Sequence, residues 1–259
     1  MNSNDIPNRV SDWLIHEVDD YDLESFTPLA ASFGEERFGY VVTPNVDHLV
    51  RYCEDAEFRE HYRRADYVLL DSRFAARMLR IVKRIKLRVC TGSDLTAALF
   101  SRVVTSSDRV VLIGGSREQA STIVMLYGLA NVYHYNPPMG FANDPAAIEE
   151  CLRFIEAQSP FRFCFLAVGS PQQEALAALL QTRGIARGLA LCVGASLNFL
   201  TGAEQRAPGW AQQMSLEWLY RLARNPGRLA NRYLVRGPRF FGYLRRIRFV
   251  RRRGVVRTT

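Results

Sequence analysis

Six short apolar runs alternate with helix-length segments along this chain, and no other feature of the sequence restricts the fold as much. The runs are 40–43 (YVVT), 67–70 (YVLL), 110–113 (VVLI), 132–135 (VYHY), 163–168 (FCFLAV) and 189–193 (LALCV). Between them, residues 94–104, 117–129, 145–158 and 172–182 read as helices. Strand alternating with helix predicts parallel pairing, because each crossover returns the chain to the same end of the sheet. The expected fold class is α/β: a doubly wound, mostly parallel, Rossmann-like sheet over residues 1–200, then a helical, basic C-terminal appendage over 201–259. In the appendage Pro208 opens a helix-like stretch, 209–224, and Asn225-Pro226-Gly227 should stop it.

In an open parallel sheet, ligands bind beyond the carboxyl ends of the strands. The residues just after each run are therefore the candidate site: Thr43, Asn45, Asp71, Gly114, Gly115, Gly169, Gln173 and Gly194. Asp71 follows four apolar residues. A carboxylate there has two uses, as cap of a helix beginning near Arg73 (with Ser72 the other candidate cap) or as a general base in a partly dry cleft. In Thr43-Pro44-Asn45, proline ends the strand, and Asn45 reads as the cap of a helix over 46–58 (VDHLVRYCEDAEF). Gly169-Ser170-Pro171-Gln172-Gln173-Glu174 reads as a turn into a helix, open to close approach by an anionic ligand.

Other motifs point away from chemistry. Asp20-Tyr21-Asp22 matches a D-x-D metal pattern but precedes LESFTPLAASF, so Asp22 reads as a helix cap and no metal is expected. The four histidines lack metal-ligand spacing, and His134, late in a strand, is at most a neighbour of the site. Gly114-Gly115-Ser116 lacks the G-x-G-x-x-G fingerprint, which weighs against a nicotinamide oxidoreductase. The five cysteines are odd in number and never form C-x-x-C, so they read as small core residues rather than disulfides or zinc ligands. The polar N-terminus carries no signal-peptide pattern, and the longest nearly uncharged apolar stretch, 188–200, is short of a membrane span, which needs about 18 residues. A cytosolic chain with peripheral membrane contact at most is the expectation.

Charge is uneven. Residues 218–259 hold thirteen arginines and no Asp, Glu or Lys, so the whole-chain charge of +8 leaves −5 for residues 1–217. Basicity on this reading belongs to the tail and not to the body. In 236–253 (RGPRFFGYLRRIRFVRRR), Phe240, Tyr243, Leu244, Ile247 and Val250 fall on one side if the segment is helical. Arginine attracts nucleic-acid phosphates and anionic lipid alike. The apolar side favours an anionic membrane surface as the partner over nucleic acid, and a basic helix packed on its own body is the plainer alternative. A basic membrane- or nucleic-acid-binding protein with a non-catalytic α/β scaffold is the rival class of function.

Taken in order, the motifs resemble the WecG/TagA/CpsF glycosyltransferases. The residues carrying the resemblance are TPN at 43–45, Ala65-Asp66 leading to Asp71, TGSDL at 91–95, GSPQQE at 169–174, VGASLNFLTG at 193–202, and RAPGWAQQMSLEWLYRLARNPGRLANRY at 206–233. The last is the most specific. The resemblance implies an inverting hexosyl- or N-acetylhexosaminyl-type transferase. It would move sugar from a UDP-sugar donor to a polyprenyl-diphosphate-linked sugar in exopolysaccharide, capsule or teichoic-acid-type assembly. It further implies no cofactor, no metal, and a peripheral position on the cytoplasmic face of the inner membrane. By motif position Asp71 would be the base, with Thr43 and Asn45 beside the reacting groups and Gln173 in the same pocket. Arg221, Arg228 and Arg232 would hold the lipid diphosphate. Two departures stand out: the family commonly has Asp-Gly where this chain has Asp71-Ser72, and the extension beyond Tyr233 is longer and more basic. Donor, acceptor, linkage and any self-association of the chain are left open.

Overall fold

A computed structural model of the protein describes residues 15–244 and 248–252, with residues 15, 16, 213, 228, 232 and 248–252 described by backbone alone. The first elements are β1 (Ile15–Asp19), α1 (Leu23–Ala31), β2 (Phe38–Val42), α2 (Val46–Glu54), α3 (Ala56–Arg64), β3 (Tyr67–Val68), α4 (Arg73–Lys83) and α5 (Gly92–Arg102). The second half of the body contributes β4 (Arg109–Ile113), α6 (Arg117–Tyr127), β5 (Asn131–Tyr135), α7 (Pro145–Ala157), β6 (Phe163–Leu166), α8 (Gln172–Arg183), β7 (Gly188–Cys192) and α9 (Ser196–Leu200). Beyond them come α10 (Gly209–Gln213), α11 (Glu217–Arg224), α12 (Pro226–Ala230), a π-helical stretch Asn231–Arg236, α13 (Arg239–Leu244) and β8 (Arg248–Arg252).

Six strands form one sheet in the order β3-β2-β7-β6-β4-β5, and every pairing is parallel. The doubly wound α/β expectation holds. Successive side chains of a strand point to opposite faces, and the central strands are apolar at every step because both faces are covered. Tyr40, Val42, Val111, Ile113, Cys164, Leu166, Ala190 and Cys192 face α2, α3, α7 and α8. Their neighbours Val41, Val110, Leu112, Phe163, Phe165, Leu189 and Leu191 face α1, α5 and α6. All five cysteines are buried and free, as their apolar settings predict.

Three expectations change. The helix expected over 46–58 breaks at Asp55, whose backbone is extended and whose carboxylate caps α3 by accepting from the Phe58 amide. The helix expected over 209–224 breaks after α10. There Ser215 adopts a left-handed backbone (φ +64) and the Leu216 amide donates back to the Ala211 carbonyl, a Schellman closure. Of the segment 236–253, read as one-sided if helical, the described residues are α-helical over α13, whereas β8 pairs in parallel with β1, a strand that the polar run IHEVD did not announce. The apolar positions Phe240 and Leu244 turn inward, into a cluster with Val18, Leu49, Leu70, Ala75 and Leu79. Ile247, assigned to the same face, lies outside the described residues. Phe240 and Leu244 thus face the body of the protein. Among the described residues no helix is long and apolar enough to cross a membrane.

Candidate active site

Register fixes the floor of the site. Val42 stands opposite Cys192 on one side and Val68 on the other, and Leu166 stands opposite Cys192. The chain leaves β2, β3, β6 and β7 at one edge, where a cleft of about 740 Å³ opens, a volume suited to a small-molecule ligand. Thr43, Asn45, Asp71, Gly169, Gln173 and Gly194 all line it.

Local hydrogen bonds set each side chain. The buried Thr43 hydroxyl donates to the Cys192 carbonyl at 3.0 Å, tying β2 to β7. Asn45 caps α2, its Oδ1 accepting from the amides of Asp47 (3.1 Å) and His48 (3.4 Å), so the capping role read from the sequence is present. Pro44 has no N–H to give, but its carbonyl accepts the Asp71 amide at 2.8 Å, which joins the two loops. The cap of α4 is Ser72, whose backbone is extended (φ −157) and whose Oγ accepts from the Ala75 amide at 3.1 Å. No left-handed backbone is called for at this position, so a serine fits as well as the glycine of the motif it resembles. Asp71 lines the cleft.

Gln173 is buried and bonded at both ends of its amide. Its Oε1 accepts the Gly194 amide at 2.8 Å and its Nε2 donates to Glu174 at 2.9 Å. The Gly194 N–H is therefore spent inside the protein. Glu174 is wholly buried, and burial pushes its carboxyl up to about 7 against the lowering hydrogen bond from Gln173. His48 Nδ1 lies 2.9 Å from the Tyr62 hydroxyl and 3.9 Å from Glu174, and His48 itself lines the cleft.

The segment after residue 200 forms the opposite wall. Trp218, Arg221, Tyr233 and Phe241 line the cleft, with Phe74 packed against Trp218 (6.4 Å between ring centroids) and Phe241 (6.2 Å). The Arg221 guanidinium lies 5.3 Å from the centre of the Phe199 ring and 3.7 Å from Glu204. The side chains of Arg228 and Arg232 lie outside those described. A polar clamp holds this wall to the body: Arg206 donates to Asp94, which Arg73 also approaches at 3.7 Å, and Arg73 donates to Gln212 at 3.0 Å. Burial raises the Asp94 carboxyl, but hydrogen bonds from Arg206 and Thr91 outweigh it and hold Asp94 below the usual range.

Gly114 and Gly115 stand apart from the cleft. Both have positive φ, a side chain on Gly114 would meet the Ala167 backbone at 2.9 Å, and their carbonyls take the His134 ring nitrogen at 3.2 Å. They shape a packed turn. Asp22 is the cap of α1, as read from the sequence. Sequence reasoning missed His48, Glu174, Phe74 and Trp218. The available signals were spacing of three from Asn45 and Asp71, adjacency to Gln173, and the EWLYRL run.

The arrangement offers a carboxylate, a hydroxyl and an amide on one wall with an arginine and aromatic rings on the other. Such a cleft can accept a proton from a hydroxyl and compensate negative charge. Along the sequence, residues 13–254 match the model described as the glycosyl transferase WecG/TagA/CpsF family.

Proposed function

The protein belongs to that family of glycosyl transferases, and from this premise we propose inverting transfer of a sugar from a UDP-sugar to a polyprenyl-diphosphate-linked sugar, with Asp71 as general base. Membership makes the chain a transferase of cell-surface polysaccharide synthesis. Support for the finer reading rests on one observation: Asp71, Thr43, Asn45 and Gln173, brought from three strand ends, share a single cleft with Arg221.

In the proposed step the acceptor hydroxyl oxygen bonds to the anomeric carbon as the bond from that carbon to the donor diphosphate breaks. The hydroxyl proton passes to the Asp71 carboxylate, and UDP carries away the electron pair and its charge. Inversion requires acceptor and leaving diphosphate on opposite faces of the sugar. Thr43 and Asn45 flank the base, while Gln173, Gly194 and the turn at Gly169 shape the neighbouring wall. Arg221, with Arg228 and Arg232 from the same segment, compensates the acceptor's diphosphate. Residues 1–200 act as the catalytic body and 201–259 as the appendage that closes the cleft and carries basic charge toward an anionic bilayer on the cytoplasmic side.

Radiolabelled transfer from a panel of UDP-sugars to defined polyprenyl-diphosphate sugars tests the reading. One donor and acceptor pair should give product, with no divalent metal added and a chelator present, and Asp71→Asn should abolish most of it while the fold is retained. Full activity in Asp71→Asn would place the base elsewhere.

A further inference from the structure

The net charge of −5 on residues 1–217 conceals a strongly basic stretch of the body. Residues 73–88 contain seven Arg or Lys and no Asp or Glu, and α4 is its first part. The inner side of α4 is buried through Ala75 and Leu79, in the cluster that also receives Phe240 and Leu244. Arg73, Arg77, Arg80, Ile81 and Arg84 follow one another at steps that keep them on one outward stripe, since residues three or four apart share a helix face. Ile81 is 61% exposed and its neighbour Val82 47%. The ends of the run have acidic neighbours, with Arg73 near Asp94 (3.7 Å) and Arg88 near Asp22 (3.4 Å). Arg80 and Arg84 form no ion pair with another described residue.

The stripe continues into the wall over the cleft. Arg77 donates to the Met214 carbonyl at 3.5 Å, and Met214 and Trp210 are 56% and 61% exposed. Cations, aliphatic side chains and an exposed tryptophan on one surface are what a bilayer interface selects: anionic headgroups for the arginines, the acyl boundary for the rest.

We infer that the outward stripe of α4, with Trp210 and Met214 beside it, is a docking surface for an anionic lipid bilayer. Nucleic acid would satisfy the arginines but leave Ile81 and Trp210 without a partner. A second copy docked across a two-fold axis would set Arg80 and Arg84 against their own counterparts, which like-charge repulsion disfavours. Arg73 and Phe74, at the start of α4, line the cleft. Ile81 lies about 12 Å further along the helix at 1.5 Å per residue, so contact there brings the cleft rim to headgroup depth. The inference deepens the reading of a lipid-linked acceptor and rests on it for its purpose, but its test is separate.

The full chain is floated with phosphatidylglycerol–phosphatidylcholine vesicles, and transfer to an acceptor with a short, water-soluble prenyl chain is measured in parallel. Wild type should bind these vesicles and not pure phosphatidylcholine. Arg80→Gln with Arg84→Gln should weaken partitioning about 25-fold at low salt, since each basic residue near such a surface contributes roughly fivefold. Ile81→Ser should weaken it too, by an amount that salt does not screen. Short-chain transfer should be unchanged in both variants. Unchanged partitioning overturns the inference, as does a change from oligomer to monomer on sedimentation or a parallel loss of short-chain transfer. If wild type transfers no sugar to any acceptor, the proposed reaction fails while partitioning still decides the docking surface.

Discussion

The Ser72 hydroxyl accepts the Ala75 amide hydrogen at 3.1 Å, so the cap of α4 is supplied by the residue after Asp71. Replacing Ser72 by alanine should lower unfolding free energy by about 1 kcal/mol, and replacing it by glycine by only a few tenths. Denaturant midpoints at constant slope give both values. Equal losses for alanine and glycine would mean that the hydroxyl is not the cap.

Asp71→Asn keeps the size of the side chain and removes its ability to take a proton. Turnover should fall about 10²–10⁴-fold with little change in melting temperature. Paired measurement of kcat and thermal unfolding separates loss of a base from loss of fold.

Glu174 gives the protein a signature in pH. Its carboxyl is raised from 4.5 to about 7 by burial, so the folded state holds the proton more tightly than the unfolded chain. The stability this contributes is complete below the unfolded value and is lost as pH rises through about 7. Glu174→Gln mimics the protonated acid at every pH. Variant and wild type should therefore unfold alike near pH 4.5, with wild type the less stable above about 7. Parallel stability profiles would contradict a raised Glu174.

Gln173→Leu leaves the Gly194 amide hydrogen and the Glu174 carboxyl without the partner each now has. A buried group left unsatisfied costs about 1–3 kcal/mol, and chemical denaturation should register a loss of that size. A neutral outcome would show that water or a neighbour replaces the amide.

Arg206 and Asp94 join the C-terminal wall to the body across a partly buried ion pair. A double-mutant cycle with Arg206→Met and Asp94→Leu should return a coupling of about 1 kcal/mol. Cleavage by protease near residues 201–208 should speed up in either single variant. Additive effects would mean the wall is held by its aromatic contacts instead.

The strand ends were legible because continuous apolar runs need a sheet covered on both faces, and parallel crossovers bring those ends to one edge. That logic located Thr43, Asn45, Asp71, Gln173, Gly169 and Gly194 at the cleft. It also swept in Gly114 and Gly115, since a turn glycine after a strand looks the same whether a ligand or the Ala167 backbone lies against it. His48 and Glu174, 126 positions apart in the chain, meet through tertiary packing that no local pattern encodes. The packing of the arginine-rich tail was illegible for a related reason. Aromatic residues three or four apart mark an apolar side but not what covers it, and for Phe240 and Leu244 the cover is Leu49, Leu70 and Leu79. Dividing charge at residue 217 hid the basic run in α4 behind acids elsewhere in the body.

The pairing of β8 with β1 changes what can be learned by shortening this chain. Ending it near Tyr233 removes arginines, and with them the strand partner of Ile15–Asp19 and two side chains from the cluster around Leu79. An unpaired parallel edge beside a bared apolar floor is a template for aggregation. A truncated protein would therefore sediment with vesicles, or fail to, for reasons of self-association, and substitutions within the intact chain are the cleaner probe of charge.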